Sequence, residues 1–289
     1  MATSITGSFT YNATESWLPR RDPRSEGWPL TGSPLPVAII TVVYVFFVTR
    51  FGQRWMRRRK AFDLKPCILA YNFLTTLFSA FFVVCFAKLA YWDLGYTILQ
   101  DLDLGVTPAN LEIVRLSWWL YMFKLAELSD TVFFVLRKKN HQVSGLHVVH
   151  HVLVSWNMWL SVTYGSQSHS MFVVCLNSFV HVFMYAYYFL AALGPSVRRF
   201  LWWKKYLTMM QIVQFVLLFA HAVGTVLATG NYVRLFTWLE LAEAILFFVW
   251  FVAFYDDAYK SKTQPEEPAA DSYDELAKMM MLRDNDEDA

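Results

Sequence analysis

The sequence predicts an all-α, polytopic membrane protein with seven transmembrane helices. Three observations carry that prediction: the apolar content, the placement of basic clusters, and polar residues at helical spacing inside apolar runs. The 289 residues are 56% hydrophobic and 18% aromatic, and mean hydropathy is +0.32. Ordinary soluble domains are roughly 45–50% apolar. Several runs approach the ~20 apolar residues that cross a bilayer as a helix, so one membrane domain is expected rather than a string of soluble ones. The net charge of +2 carries no signal by itself, and no nucleic-acid partner is expected. Cys67, Cys85 and Cys175 sit inside apolar runs without CxxC spacing. They read as small buried hydrophobes.

Residues 1–33 are polar and turn-rich and form an N-terminal segment expected in the lumen. They lack the basic-then-apolar order of a cleaved signal peptide. Asn12-Ala13-Thr14 is a glycosylation sequon. Residues 34–257 form the membrane domain. Its first span covers about 35–51 and ends in Arg50, Arg54, Arg57, Arg58, Arg59 and Lys60. Basic clusters stay on the cytosolic side. A second span, about 66–91, returns to a lumenal loop at 93–115. The third, about 116–136, ends at Arg137, Lys138 and Lys139. Spans at about 146–164, 170–193, 206–228 and 233–255 follow, with Arg198, Arg199, Lys204 and Lys205 in a cytosolic loop. An N-terminus outside and a C-terminus in the cytosol fit every cluster. Residues 258–289 become acidic and are expected to be a disordered cytosolic tail.

Four spans carry polar stripes. Lys124, Glu127, Asp130 and Thr131 lie on the third. His147, His150 and His151 open the fourth; at i, i+3 and i+4 they form one broad polar sector. Asn177, His181, Met184, Tyr185 and Tyr188 mark the fifth, and Thr208, Gln211 and Gln214 the sixth. Ionisable groups in spans usually face the bundle interior. A single stripe can be glue between helices, and Lys124 with Glu127 can be an ion pair that lets both charges be buried. Four stripes together favour an enclosed polar chamber. Lys88, Glu240 and Glu243 lie near span ends or could pair, and no role is assigned to them.

Imidazole can ligate metal, act as a base or act as a nucleophile. The HxxHH spacing is also that of the histidine boxes of di-iron membrane desaturases and hydroxylases. Those need several boxes, and this chain has 7 histidines and no second box. A single zinc on a box histidine with Asp130 is a lesser alternative. No metal is expected. A proton-coupled transporter of seven spans is a rival reading, but no internal repeat is visible.

The four motifs, in this order and spacing, resemble those of the very-long-chain fatty acid elongase family over roughly residues 30–260. That family comprises the condensing enzymes, 3-ketoacyl-CoA synthases, of the endoplasmic reticulum. Arg59-Lys60-Ala61-Phe62 followed by Tyr71-Asn72 also resembles it, with Ala61 where proline is common. Gly145 departs where a bulky residue usually precedes Leu-His, and a dilysine pair near the terminus is missing. The wording around Asn177 is closer to members acting on long saturated, monounsaturated or polyunsaturated chains than to the branch acting on C16 substrates.

The resemblance implies that six of the seven helices ring a tunnel for the acyl chain. It implies that a long-chain acyl-CoA condenses with malonyl-CoA, through an acyl-imidazole on a box histidine, foremost His150. His147 and His151 would support it or shuttle protons, and Asp130 would orient a box histidine. Asn177 and His181 would donate hydrogen bonds to the enolate. Lys124, Glu127, Tyr185, Tyr188, Gln211 and Gln214 are expected to contact substrate. Arg137, Lys204 and Lys205 could attract the phosphates of coenzyme A. No cofactor is expected. Expected partners are membrane lipid, a ketoacyl-CoA reductase and the other enzymes of the elongation cycle, and a second copy of the chain.

Overall fold

The computed structural model describes residues 17, 20–165, 167–228 and 232–260. Asn12 and the acidic stretch lie outside the described residues. Two compact units divide the chain, Met1–Phe251 and Val252–Ala289. Every candidate site residue lies in the first. In the second, the described residues are the last turn of a helix and the π-helical turn Asp256–Lys260.

Among the described residues the regular structure is helical, with no strand. Helix α1 runs from Leu35 to Met56 and α2 from Lys65 to Asp93. Both contain a π-helical segment, Phe47–Phe51 and Lys88–Asp93. Helices α3 (Pro108–Ala126), α4 (Ser129–Leu136) and α5 (Gly145–Tyr164) follow. Then come α6 (Met171–Leu193), α7 (Lys204–Ala228) and α8 (Arg234–Tyr255).

Five of these are long and apolar enough to cross a membrane: α1, α2, α6, α7 and α8. Their outward residues are large and apolar, such as Val42 at 67% and Val84 at 65% exposure. Water penalises such surface and hydrocarbon does not, so the chain is a multi-pass membrane protein. Helices α3 and α5 carry the lysine and the histidines that concentrate at the site, and α4 has only 8 residues.

The third span differs from expectation in both extent and shape. It starts at Pro108 rather than Leu116. Thr107 caps it by accepting from the Asn110 amide, and Pro108 sits where no amide is needed. It also breaks between Ala126 and Ser129. There the amides of Leu128 and Asp130 reach back only three residues, to the carbonyls of Leu125 and Glu127. This tight step re-aims the chain without glycine or proline.

One apolar core joins Phe82 and Phe86 of α2, Leu120 and Tyr121 of α3, and Met158, Trp159 and Val162 of α5. A second joins Tyr44 and Val48 of α1, Val135 of α4 and Val148 of α5. Phe215 and Leu218 of α7 pack on Ala244 and Phe247 of α8. At one end of the bundle, α5 finishes at Gly165, left-handed at φ 80°. Glycine is needed there twice over: a Cβ would also sit 3.0 Å from both Asp22 and Leu104. This loop end is tied by Arg24, which pairs with buried Asp22 at 2.8 Å and donates to the Gly105 carbonyl at 3.0 Å.

Candidate active site

Ser144 caps α5 by accepting from the His147 amide at 3.2 Å, so the histidine cluster occupies the first two turns of that helix. The three imidazoles do not act as one sector. Successive residues differ by about 100° around a helix, and this separates His150 from His151. Only His150 lines the internal cavity. His147 and His151 meet edge to face, with ring centroids 4.5 Å apart. The His147 ring also lies 5.4 Å from Phe134, and its buried Nε2 has no hydrogen-bond partner.

The cavity has a volume of about 140 Å³. Lys124 of α3, His150 of α5, Asn177 of α6 and Gln214 of α7 give it a polar head. Farther along, its wall is largely apolar, with Val154, Met158, Val173, Val174, Leu218 and Leu239. The α8 contribution repeats at three- and four-residue steps (Phe236, Glu240, Glu243, Phe247), which is one face of a helix.

Behind the polar head lies a buried charge network. Lys124 Nζ donates to both oxygens of Glu127, at 2.9 and 3.0 Å. It also lies 3.1 Å from His181 Nδ1. An ammonium has only donors, so His181 Nδ1 accepts, which places the ring proton of neutral His181 on Nε2. Glu127 lies 3.5 Å from the same nitrogen. The His181 and His150 rings are 6.5 Å apart and tilted by 28°. His181 is itself not among the cavity-lining residues; Lys124 and Asn177 are. Among the residues expected to meet the enolate, Asn177 thus lines the cavity and His181 lies behind Lys124.

Asp130 also differs from expectation. Its carboxylate accepts from the Tyr185 hydroxyl at 2.6 Å, and no box histidine bonds to it among the described residues. The step at Leu128 explains this, because it turns Asp130 away from the α5 histidines and toward α6. Thr131 joins the Tyr44 hydroxyl at 2.7 Å and ties α4 to α1.

The remaining expected contacts are scattered. Gln211 Nε2 lies 3.5 Å from the Met184 sulfur. Tyr188 stacks edge-on against Tyr185 at 5.8 Å but is 41% exposed. Lys204 and Lys205 open α7 and are exposed, and half-buried Arg137 ends α4. None of the three reaches the cavity. Another basic surface lies elsewhere: Arg54, Arg57, Arg58 and Arg59 surround Trp55, and the Arg59 guanidinium lies 4.0 Å from its ring.

Sequence reasoning passed over Asn157, Glu240 and Glu243, all of which line the cavity. A charge inside an apolar run was the available signal. Toward the loop end, His221 bridges Glu240 at 2.7 Å and the Ile98 carbonyl at 3.0 Å. His169 lies 3.0 Å from the Thr237 hydroxyl. Burial, and secondarily His221, push the His169 imidazole down to about 4. In the nearby loop, burial and a hydrogen bond to Asp103 hold the Tyr96 hydroxyl well above its usual range. Among the described residues, no group of three or more His, Cys, Asp or Glu is placed to hold a metal ion.

A helical bundle enclosing a largely apolar cavity with a polar head defines the class: a multi-pass membrane protein with an internal site for an amphipathic molecule. A family model described as the GNS1/SUR4 (ELO) family matches residues 29–267. The chain belongs to that family of fatty acid elongases. It is 44% identical to very long chain fatty acid elongase 7 of Rattus norvegicus over 75% of this chain and 77% of the relative. It is 39% identical to very long chain fatty acid elongase 7 of Drosophila melanogaster, over 83% and 73%. With very long chain fatty acid elongase 4 of Homo sapiens it shares 37% identity, over 85% and 78%.

Proposed function

We propose that the protein is the condensing enzyme of a fatty acid elongation cycle in the endoplasmic reticulum membrane, joining a long-chain acyl-CoA to malonyl-CoA. The observation that carries this reading is the cavity. Its wall is largely apolar, the chemistry an acyl chain needs, and its head gathers one imidazole, one ammonium and two amides. The apolar α helices α1, α2, α6, α7 and α8 give five crossings. Helix α3 with α4, and α5, would give two more, since the 19 residues of α3 and 20 of α5 each reach about 30 Å. The N-terminus is then lumenal and the basic clusters cytosolic. Six of the seven helices would ring the acyl tunnel.

His150 attacks the thioester carbonyl. The C–S bond breaks, and free coenzyme A leaves with the proton lost from the imidazole. Malonyl-CoA then loses carbon dioxide, leaving an enolate. Asn177 hydrogen-bonds its oxygen, and the charge of the Lys124 ammonium, held in place by His181 and Glu127, stabilises it through space. The enolate carbon attacks the acyl-imidazole carbonyl, the C–N bond breaks, and the leaving imidazole nitrogen takes a proton from water, which restores neutral His150. The product is a 3-oxoacyl-CoA two carbons longer. No cofactor is called for, because loss of carbon dioxide generates the carbanion.

Full-length protein in lipid nanodiscs, given radiolabelled malonyl-CoA and a long-chain acyl-CoA, is expected to yield labelled 3-oxoacyl-CoA. Without malonyl-CoA, mass spectrometry is expected to find the acyl group on His150. Product without any adduct would replace the two-step route by a single condensation with a histidine as base. Absence of labelled product would overturn the enzymatic reading.

A further inference from the structure

Asn157 and Glu243 meet inside the cavity wall, in a lining that is mostly apolar and also holds Glu240 and Ser161. Seven residues, or about 10 Å of helix, separate Asn157 from His150 on α5. Seven residues are nearly two turns, which is why both line the same cavity. Asn157 Nδ2 donates to the two carboxylate oxygens of Glu243 at 2.9 and 2.8 Å. A carboxylate offers about four acceptor positions, and among the described residues Asn157 is its only hydrogen-bond partner. Glu240, three residues earlier, is by contrast engaged by His221 at 2.7 Å. Glu243 therefore keeps accepting capacity that faces the cavity at a fixed depth. A saturated chain passing there offers it nothing. A chain with a hydroxyl at that depth offers a charge-assisted hydrogen bond in a water-poor tube.

We propose that Glu243, held by Asn157, is a specificity-determining residue that selects acyl chains carrying a hydroxyl near mid-chain, about 10 Å from the reacting carbonyl. This rests on the reading of the cavity as an acyl tunnel. A site built to bond a hydroxyl discriminates strongly against the analogue lacking it. The position of the hydroxyl matters as much as its presence, since α5 fixes the distance from His150.

The test uses full-length protein in nanodiscs and three acyl-CoAs of one length: saturated, hydroxylated at mid-chain, and hydroxylated at the terminal carbon. Two readouts are taken, kcat/KM for condensation and thermal stabilisation by each acyl-CoA. The mid-chain hydroxyl is expected to be preferred over both others, roughly tenfold or more in kcat/KM. Glu243→Leu is expected to erase that preference, and Glu243→Gln, which keeps a bond to Asn157, to weaken it. The same ratios in wild type and both variants, with only lower thermal stability, would make the pair a link between α5 and α8 and overturn the proposal. Should no acyl-CoA be elongated, the condensing reading falls. The stabilisation ratios then decide selectivity on their own, and equal stabilisation by all three compounds would overturn it.

Discussion

The two ends of the cavity are both furnished with imidazoles, yet they treat them in opposite ways. At the loop end each histidine is engaged through both ring nitrogens. His221 bonds Glu240 and the Ile98 carbonyl, and His169 faces Thr237 and the Gln100 carbonyl. At the head, His150 faces the cavity and its ring makes no hydrogen bond among the described residues. A buried polar group normally finds its partners. One left open toward a cavity is available to something that enters. The same side chain is thus a fastening at one end and, on the proposed reading, a reagent at the other.

Substitution at the two ends breaks this comparison or sharpens it. His150→Ala is expected to lower condensation by at least about a thousandfold with little change in thermal stability, as loss of a nucleophile does. His221→Ala, which strands Glu240, is expected to do the reverse: a marked fall in melting temperature with condensation retained near ordinary rates in the folded fraction. Assays of both variants beside melting curves in nanodiscs decide it. Equal rate losses at the two ends would erase the distinction.

The next effect concerns the buried charges. Glu127→Ala leaves the Lys124 ammonium unpaired between α3 and α6, which costs about 3–5 kcal/mol. Lys124→Met combined with Glu127→Leu removes both charges and is expected to recover most of that stability while leaving condensation impaired. Denaturation of the single and double variants measures it. If the double variant is as unstable as the single, the pair stabilises by packing and not by charge.

How much of this was readable beforehand follows from what each signal encodes. Apolar runs encode lipid-facing helices directly, so most helices were legible to within a few residues, except where Thr107 and Pro108 start α3 early and where the chain steps at Leu128. The motif residues were legible as a set. Their division was not, because spacing gives the angle between His150 and His151 but not which side the cavity lies on. The step at Leu128 has no glycine or proline to announce it, so the pairing of Asp130 with Tyr185 could not be read. Glu243 was visible as a charge in an apolar run, but its depth in the cavity depends on how α8 is rotated against α5.

The loop end adds a dependence on pH. Burial, and secondarily His221, push the His169 imidazole down to about 4 in the folded protein, against about 6.5 for an unfolded chain. Between those values the unfolded chain binds more protons, so stability falls as pH drops through that window and is constant above it. The loss is of order 1–3 kcal/mol. His169→Gln is expected to flatten this part of the melting-temperature profile. An unchanged profile would assign the acid sensitivity to other groups.

The smallest effect comes from the two glycines that bound α5. Gly165 is left-handed at φ 80° and crowded by Asp22 and Leu104. Alanine there is expected to cost more than 1 kcal/mol through backbone strain and displacement of the loop end. Gly145 opens the helix after the Ser144 cap, and a Cβ there would meet nothing within 4 Å. Alanine at Gly145 is expected to be neutral or to stabilise by up to about 1 kcal/mol, by favouring helix and restricting the unfolded chain. Because the substitution precedes His147 and His150, it also tests how firmly the head is held. A rise in melting temperature with an unchanged rate means the Ser144 cap already fixes the box. A gain in rate would mean that glycine leaves its first turn loose.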